Sequence, residues 1–531
     1  RHHILYTVIK EENSEPFCEI VKRQVQISFS DYTQLPEEEK TDKVEAILSK
    51  DMNKAFDLER GPLYRLYLIK TNVDEYYFHM SIHHIIFDGW SRGILVNDLT
   101  SIYNSLVTGK EHELEKLEFQ QYDYAHWEAT SEVNKDSAEF WEENLKGCSP
   151  VLNFPFDFPR KEKSTGRGGH ETICLTKQLS DSLRVLSKET SSSLFSTIMC
   201  GFGVLMHKYS GEDDLNIGIP VAYRPHSQLE KVVGMFVNTV VVRLRYERGS
   251  TFRELMKQTN EAAMNAIEFQ DLPFENVVEL VRPERIPGIN PLFQVALAWQ
   301  NNLGAPINLK GIRSENVKLK EGPSIFDLIL YLWEKEDTIQ GEFEYSADLL
   351  KQDTIIRLRD HFLDLLAKLA DNPDRAIESL PMISDADKTL ISNSNNTRSE
   401  YPRNMTVARL FEEQVDLFRE KTALVFKDDS FSYEELNGKA NQLARTLRDA
   451  GVTNNTPVGI MADKSLEMIV GILAILKAGG GYVPVDPEYP LQRIQYILED
   501  SGCKIILLQD KFNHLSPDNI HKIHLNSPGA Y

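Results

Sequence analysis

Ser392-Asn393-Ser394-Asn395-Asn396-Thr397 is an unbroken run of small polar residues. A segment of this composition has nothing with which to build a core, and Leu380-Pro381-Met382 already interrupts the apolar periodicity before it. The spacing therefore predicts a linker over 386–404 between two separately folded parts. The chain has 531 residues, and at roughly 150 residues per domain the longer part needs more than one lobe. Strand-like and helix-like stretches alternate on both sides of the break, which predicts α/β architecture.

Charge narrows the function classes. Acids outnumber bases by 80 to 59, giving a net charge of −21. That argues against a nucleic-acid partner, which needs a basic phosphate-contacting face, and against an anionic membrane surface. The longest apolar run, Met468 to Leu476, ends at Lys477 and falls far short of the roughly 20 residues a bilayer span requires. The five cysteines lie far apart with no CxxC pair. They read as free thiols in a reducing compartment, and the sequence, which opens on Arg1 rather than Met, shows no signal peptide. The expectation is a cytoplasmic fragment.

Along the chain, strands are expected at Ile4–Ile9, Val21–Phe29, Leu63–Ile69 and Tyr76–His84, with a helix over 39–57. Asp88 or Ser91 can cap a helix carrying Ile94, Leu95, Leu99, Ile102 and Tyr103. A polar helix with Trp127 and Trp141 leads into a second region. Helices are expected there near 178–190, 194–208 and 251–268, and strands near 215–222 and 236–245. Gly166-Arg167-Gly168-Gly169-His170 reads as a mobile loop leading into a strand. Past the linker, a helix over 406–417, a hairpin over 422–431 and a capping box at Ser432 and Glu435 are expected.

The densest polar cluster is His83-His84-Ile85-Ile86-Phe87-Asp88-Gly89-Trp90-Ser91, at the end of an apolar strand. Neighbours on a regular strand face opposite ways, so one histidine can face a pocket while the other is held in the packing. Asp88 can cap the next helix or pair with a buried arginine. Gly89 permits close backbone approach and offers an unobstructed N–H. A base, an orienting carboxylate and an N–H donor in one loop suit acyl transfer to an amine or hydroxyl. The competing reading makes the histidines packing residues and Asp88 only a cap. Zinc is disfavoured, since adjacent histidines diverge and no third ligand is spaced to join them. Walker, dinucleotide and GxSxG motifs are all missing.

His83 to Ser91 resembles the HHxxxDGWS motif of nonribosomal peptide synthetase condensation domains, relatives of chloramphenicol acetyltransferase. Other segments resemble further motifs in the family's order. Arg1-His2-His3-Ile4-Leu5-Tyr6-Thr7 is similar to RHExLRT, and Tyr122-Asp123-Tyr124-Ala125-His126-Trp127 to YxDFAxW. Val233-Gly234-Met235-Phe236-Val237-Asn238-Thr239 resembles IGxFVNT. Phe269-Gln270-Asp271-Leu272-Pro273-Phe274-Glu275 resembles HQDxPFE, and Asn290-Pro291-Leu292-Phe293-Gln294 ends like RDxSRNPLFQ. Beyond the break, Phe431 to Leu436 resembles the LTYxEL segment of adenylation domains, and Leu476 to Asp486 resembles LKAGxAYVPID.

The resemblance implies an α/β fold of two chloramphenicol acetyltransferase-like lobes in a V with the active site between them. An N-lobe is expected over 1–135 and a C-lobe over 136–385, followed by a partial adenylation subdomain over 405–531. The family's most N-terminal motif (SxAQxRLWFL) is not in this sequence, so roughly the first 40–50 residues of that domain are expected to be cut away or not present here. The implied reaction is peptide-bond formation between donor and acceptor thioesters, with an L-configured donor. The phosphopantetheine arms arrive on upstream and downstream peptidyl carrier domains. The rest of the adenylation domain is the other implied partner, and no cofactor or metal is bound by the fragment itself. His84 is implied as the base or amine-positioning group, Gly89 as an oxyanion donor, Asp88 as the loop's orienting residue, and His83 as structural.

Departures from the family bear on these roles. Tyr6 stands where the second arginine of RHExLRT is usual and His3 replaces its glutamate, so Arg1 alone remains there and the partner of Asp88 is open. Arg285-Ile286-Pro287-Gly288-Ile289 lacks the aspartate and second arginine of its motif. No DxxxxD replaces the histidine motif, which argues against heterocyclisation, and no EGHGRE-like segment points to epimerisation. The adenylation phosphate loop and a carrier GGxS site do not occur, so the chain is expected neither to activate an amino acid nor to carry one. The alternative is a noncatalytic condensation-like module that recruits partners.

Overall fold

In the computed structural model, residues 1–52, 54–111, 114–161, 164–300, 307–317 and 321–527 are described. The chain divides into two compact units, Arg1–Ser394 and Asn395–Tyr531.

The first unit begins with a short 3-10 turn and a hairpin, β1 (Thr7–Glu12) and β2 (Glu15–Ile20). There follow β3 (Ile27–Asp31), α1 (Glu37–Met52), β4 (Tyr64–Asn72), β5 (Glu75–Ile82) and α2 (Gly89–Thr108). β4 is the centre of a three-stranded sheet, parallel to β3 and antiparallel to β5. Period-two alternation turns Ile69 toward α1, where it packs with Val44 and Leu48. The strand expected over Val21–Phe29 thus begins only at Ile27, and the helix expected over 39–57 stops at Met52.

The region expected as one polar helix is two, α3 (Gln121–Thr130) and α4 (Lys135–Asn144). The chain then builds a larger sheet from β6 (Arg167–Cys174), β7 (Asp214–Ala222), β8 (Val237–Arg245), β9 (Val295–Trp299), β10 (Glu321–Pro323), β11 (Leu328–Lys335) and β12 (Thr338–Ser346). Its order is β10-β6-β12-β11-β9-β7-β8. The helices interleaved with these strands are α5 (Lys177–Glu189), α6 (Leu194–Ser210), α7 (Phe252–Glu268), α8 (Phe274–Val281) and α9 (Gln352–Asp371). α6 is buried continuously from Ser196 to Met206, which explains its nearly all-apolar sequence. Alternate residues of β12, Ile339 and Phe343, enter the same core, and Phe343 meets Phe362 of α9.

The expected mobile loop Gly166–His170 is largely strand β6. Gly169 faces the ring of Tyr345 on β12, and any side chain there would collide with it. The glycine serves packing, not mobility. The expected linker also starts late, because α10 (Asp385–Ser394) occupies its first half. Asp387 caps that helix through the Ser384 amide (2.9 Å) and lies 2.8 Å from His361 Nε2 on α9. Those contacts hold its carboxyl down at about 2, the Ser384 hydroxyl contributing most.

The second unit comprises α11 (Val407–Phe418), hairpin β13 (Thr422–Phe426) and β14 (Asp429–Ser432), and α12 (Tyr433–Asp449). β15 (Pro457–Met461), α13 (Leu466–Ala478), β16 (Gly481–Pro484), α14 (Leu491–Asp500), β17 (Ile505–Leu508) and β18 (His521–His524) complete it. Its parallel sheet runs β16-β15-β17-β18. Ser432 and Glu435 form the expected reciprocal capping box. Among the described residues no helix is long and apolar enough to cross a membrane.

Candidate active site

β5 delivers the motif and ends one residue before it. The His83 amide still donates to the Leu63 carbonyl (2.9 Å), but the chain then closes a 3-10 turn over His84–Ile86. Two local features stop the strand. The His83 imidazole uses Nδ1 to accept the Ile85 amide (3.1 Å), a side-chain bond that competes with the ladder. Ile86 is buried to 1% exposure among Ile4, Leu63 and Val233. The strict alternation expected through His84 therefore gives way to a turn.

The turn separates the two histidines. His83 is half-buried, with the Phe56 ring edge-on at 5.6 Å. Burial pushes its imidazole below the ordinary value, and neighbouring His84 acts in the same direction. His84 is exposed, and its side chain makes no hydrogen bond among the described residues.

Asp88 performs both tasks the sequence left open. It caps α2 by accepting the Ser91 amide at 2.7 Å, and its side chain is fully buried against Arg224. Arg224 Nη2 lies 3.1 Å from each carboxylate oxygen, and the Phe236 amide donates to Oδ2 at 3.1 Å. The guanidinium also donates through Nη1 to the Leu229 and Val232 carbonyls and lies 4.1 Å from the Phe236 ring centroid. Burial lowers its pKa, and Asp88 counters only part of that pull. Ser91 Oγ bonds both the carbonyl (2.9 Å) and the amide (3.0 Å) of Gly234, and the Trp90 indole donates to Glu230 (3.0 Å). Residues 224–236, between β7 and β8 of the large sheet, thus clamp a loop carried by the small one.

Arg224 is the residue that sequence reasoning missed. Arg1 is engaged elsewhere, by Asp98, whose other oxygen lies 2.8 Å from His2 Nε2. Arg224 sits 136 positions from Asp88 and outside every motif, and no local spacing could have paired them.

Gly89 is the first helical residue of α2 and is exposed, and a Cβ placed on it meets nothing within 4 Å. Its glycine is not demanded by packing inside the protein. As one of the first residues of a helix, it has an amide without an intrahelical acceptor. Among the described residues no three His, Cys, Asp or Glu side chains are grouped as a metal ion would need. Cavity size does not single out the motif. A cavity of about 630 Å³ is lined by Val133, Ala138, Glu142, Leu272, Leu280 and Arg282 among others, none of them from the loop.

Comparison with known proteins identifies the family. Residues 1–392 match the family model described as "Condensation domain", and residues 411–528 match that of "AMP-binding enzyme". Gramicidin S synthase 2 of Brevibacillus brevis is 36% identical over all of this chain, which spans 12% of that synthase. Bacitracin synthase 2 of Bacillus licheniformis is 36% identical over 89% of this chain and 19% of its own length. A four-domain nonribosomal peptide synthetase solved in its holo form with AMP and glycine superposes with a TM-score of 0.81. It is 26% identical and covers 99% of this chain and 41% of its own. The X-domain from teicoplanin biosynthesis gives a TM-score of 0.66 at 25% identity, over 72% of this chain and 87% of its own. The chain belongs to the condensation-domain family of nonribosomal peptide synthetases and continues into the start of an AMP-binding enzyme domain.

Proposed function

We propose that this chain forms a peptide bond between two aminoacyl or peptidyl thioesters presented on the phosphopantetheine arms of an upstream and a downstream peptidyl carrier domain, in the cytoplasm. The acceptor amine attacks the donor thioester carbonyl. The new C–N bond forms, the C–S bond breaks, and the donor arm leaves as a thiol. His84 holds the attacking amine and takes its proton, which is released to the departing sulfur. An α-amine already neutral needs little deprotonation, so orienting it is the larger part of this role. The Gly89 amide donates to the oxyanion as the carbonyl becomes tetrahedral. Asp88 orients the loop without touching substrate, and His83 supports the turn. The N-lobe is taken as 1–135 and the C-lobe as 136–385.

One observation carries this reading. An exposed imidazole without a hydrogen bond among the described residues sits on a turn whose Asp88 and Ser91 side chains are buried and bonded. A loop kept only for packing has no reason to leave that one ring open.

The second reading, a noncatalytic recruitment module, has its own support. The teicoplanin X-domain in complex with OxyB also superposes, at a TM-score of 0.65 and 25% identity. The intact pair of His84 and Asp88 favours catalysis here. The two separate when the chain is mixed with an upstream carrier loaded with an L-aminoacyl group and a downstream aminoacyl carrier. Mass spectrometry is expected to find dipeptidyl thioester on the downstream carrier, and slower transfer from the D-configured donor. No product above the enzyme-free control would favour recruitment.

A further inference from the structure

Asp51, near the end of α1, has only 1% of its side chain exposed. Its Oδ1 accepts from Arg65 Nε and from the Tyr67 hydroxyl at 2.9 Å. Its Oδ2 accepts from the Ser81 hydroxyl and lies 3.0 Å from His79 Nε2. These donors face one another across β4 and β5, with Arg65 opposite Ser81 and Tyr67 opposite His79. Period-two geometry places all of them on the face that α1 covers. Burial works to raise the Asp51 pKa, but the hydrogen bonds from Ser81, Arg65, Tyr67 and His79 outweigh it and hold the carboxyl below its ordinary value.

What this carboxylate holds is the plane of a guanidinium. Arg65 Nη2 also donates to the carbonyls of Asp51 (2.9 Å) and Lys54 (3.0 Å). Its Cζ lies 3.8 Å from the centroid of the Phe56 ring. Phe56 in turn meets His83 with its ring at 86°. Phe56 is thus held between a fixed cation and the imidazole that accepts the Ile85 amide. Rotating His83 to break that acceptor bond has to displace Phe56, and displacing Phe56 has to break its contact with a guanidinium anchored at several points.

We propose that Phe56 and Arg65 are positioning residues for the transfer reaction: anchored by Asp51, they hold the His83 ring with Nδ1 on the Ile85 amide, and so fix the turn that presents His84. The proposal rests on the reading that His84 carries the chemistry. Neither residue touches substrate, and both act through His83.

The test uses the full chain and the variants Phe56→Leu, Phe56→Tyr and Arg65→Lys. Nitrogen NMR of the histidine rings reads whether His83 Nδ1 remains an acceptor, with His83→Asn assigning the resonance. Single-turnover transfer between loaded carriers, normalised to the folded fraction, reads the rate. Phe56→Leu and Arg65→Lys are expected to lose the acceptor signature and slow transfer by about 10- to 100-fold. The half-saturating carrier concentration should stay within about twofold, since substrate binding is untouched. Phe56→Tyr keeps a ring and should restore both readouts. A Phe56→Leu protein with the wild-type spectrum, or with the wild-type rate, overturns the proposal. Should that variant fail to fold, Arg65→Lys carries the same two readouts, because it keeps the charge on Asp51 but not the planar stack. The spectral change is read without any turnover, so a chain inactive in transfer contradicts the proposed function alone.

Discussion

Two neighbouring residues of the motif loop have opposite physical tasks. Asp88 is buried and bonded to Arg224 and to two backbone amides, one of them at the start of α2, so its contribution is to the fold of the loop. Gly89 is exposed with open space where a Cβ would stand. Asp88→Asn keeps a capping oxygen but leaves a buried guanidinium without its counter-charge, at a cost of about 3–5 kcal/mol. Gly89→Ala adds a methyl group at a backbone position that accepts one, and should leave stability equal or raise it by about 0.4–1 kcal/mol. It should nevertheless slow transfer by about 10-fold or more, because the methyl occupies space beside the amide proposed to bind the oxyanion. Denaturation curves and transfer rates on the same preparations check this opposition. A Gly89→Ala protein with unaltered rate would remove the glycine from the mechanism.

At the scale of elements, most of the fold was legible because burial imposes its period on the sequence. β7, β8, α5, α6 and α7 lie within a few residues of where alternation and helical spacing put them, and the Ser432–Glu435 box forms as written. What was not legible depended on particular side-chain contacts, most of them between distant parts of the chain. The end of β5 is set by a side-chain acceptor and by Ile86 packing against Val233, and neither is visible in the period of Tyr76–His84. The glycines of β6 looked like a loop because their reasons lie elsewhere in the chain, Ser324 beside Gly168 and the Tyr345 ring beside Gly169. The 3-10 turn also has a pH dependence. His83 has a folded pKa below its ordinary 6.5, so the folded state binds fewer protons than the unfolded one. Its contribution to stability is complete above 6.5 and is lost as pH falls through the lower folded value. A protonated Nδ1 also can no longer accept the Ile85 amide. Melting temperature and transfer rate should both fall below pH 6.5, and His83→Asn should flatten the melting-temperature component. An unchanged acid limb in that variant would assign it to another group.

At the scale of the whole molecule, each unit has its own core. The first is centred on α6 and the seven-stranded sheet, and the second on α12, α13, β15 and β17. α10 belongs with the first, because Asp387 ties it to His361 and the condensation model runs to residue 392. Residues 395–404 are all exposed, and none lies in a helix or strand. Limited proteolysis should cut there first and release two resistant fragments, with α10 on the larger. Protection of 395–404, or a first cut before Asp385, would contradict this boundary.

The central claim is that an open His84, on a turn locked by buried neighbours, carries the transfer step. The direct measurement is single-turnover formation of dipeptidyl thioester by His84→Ala beside the wild-type chain, with thermal melts on both. Transfer by the variant is expected to be slower by about 10²–10⁴-fold, the span of a positioned acid or base. The melting temperature should be unchanged, because among the described residues the exposed ring makes no hydrogen bond. A His84→Ala protein that transfers at the wild-type rate would contradict the central claim.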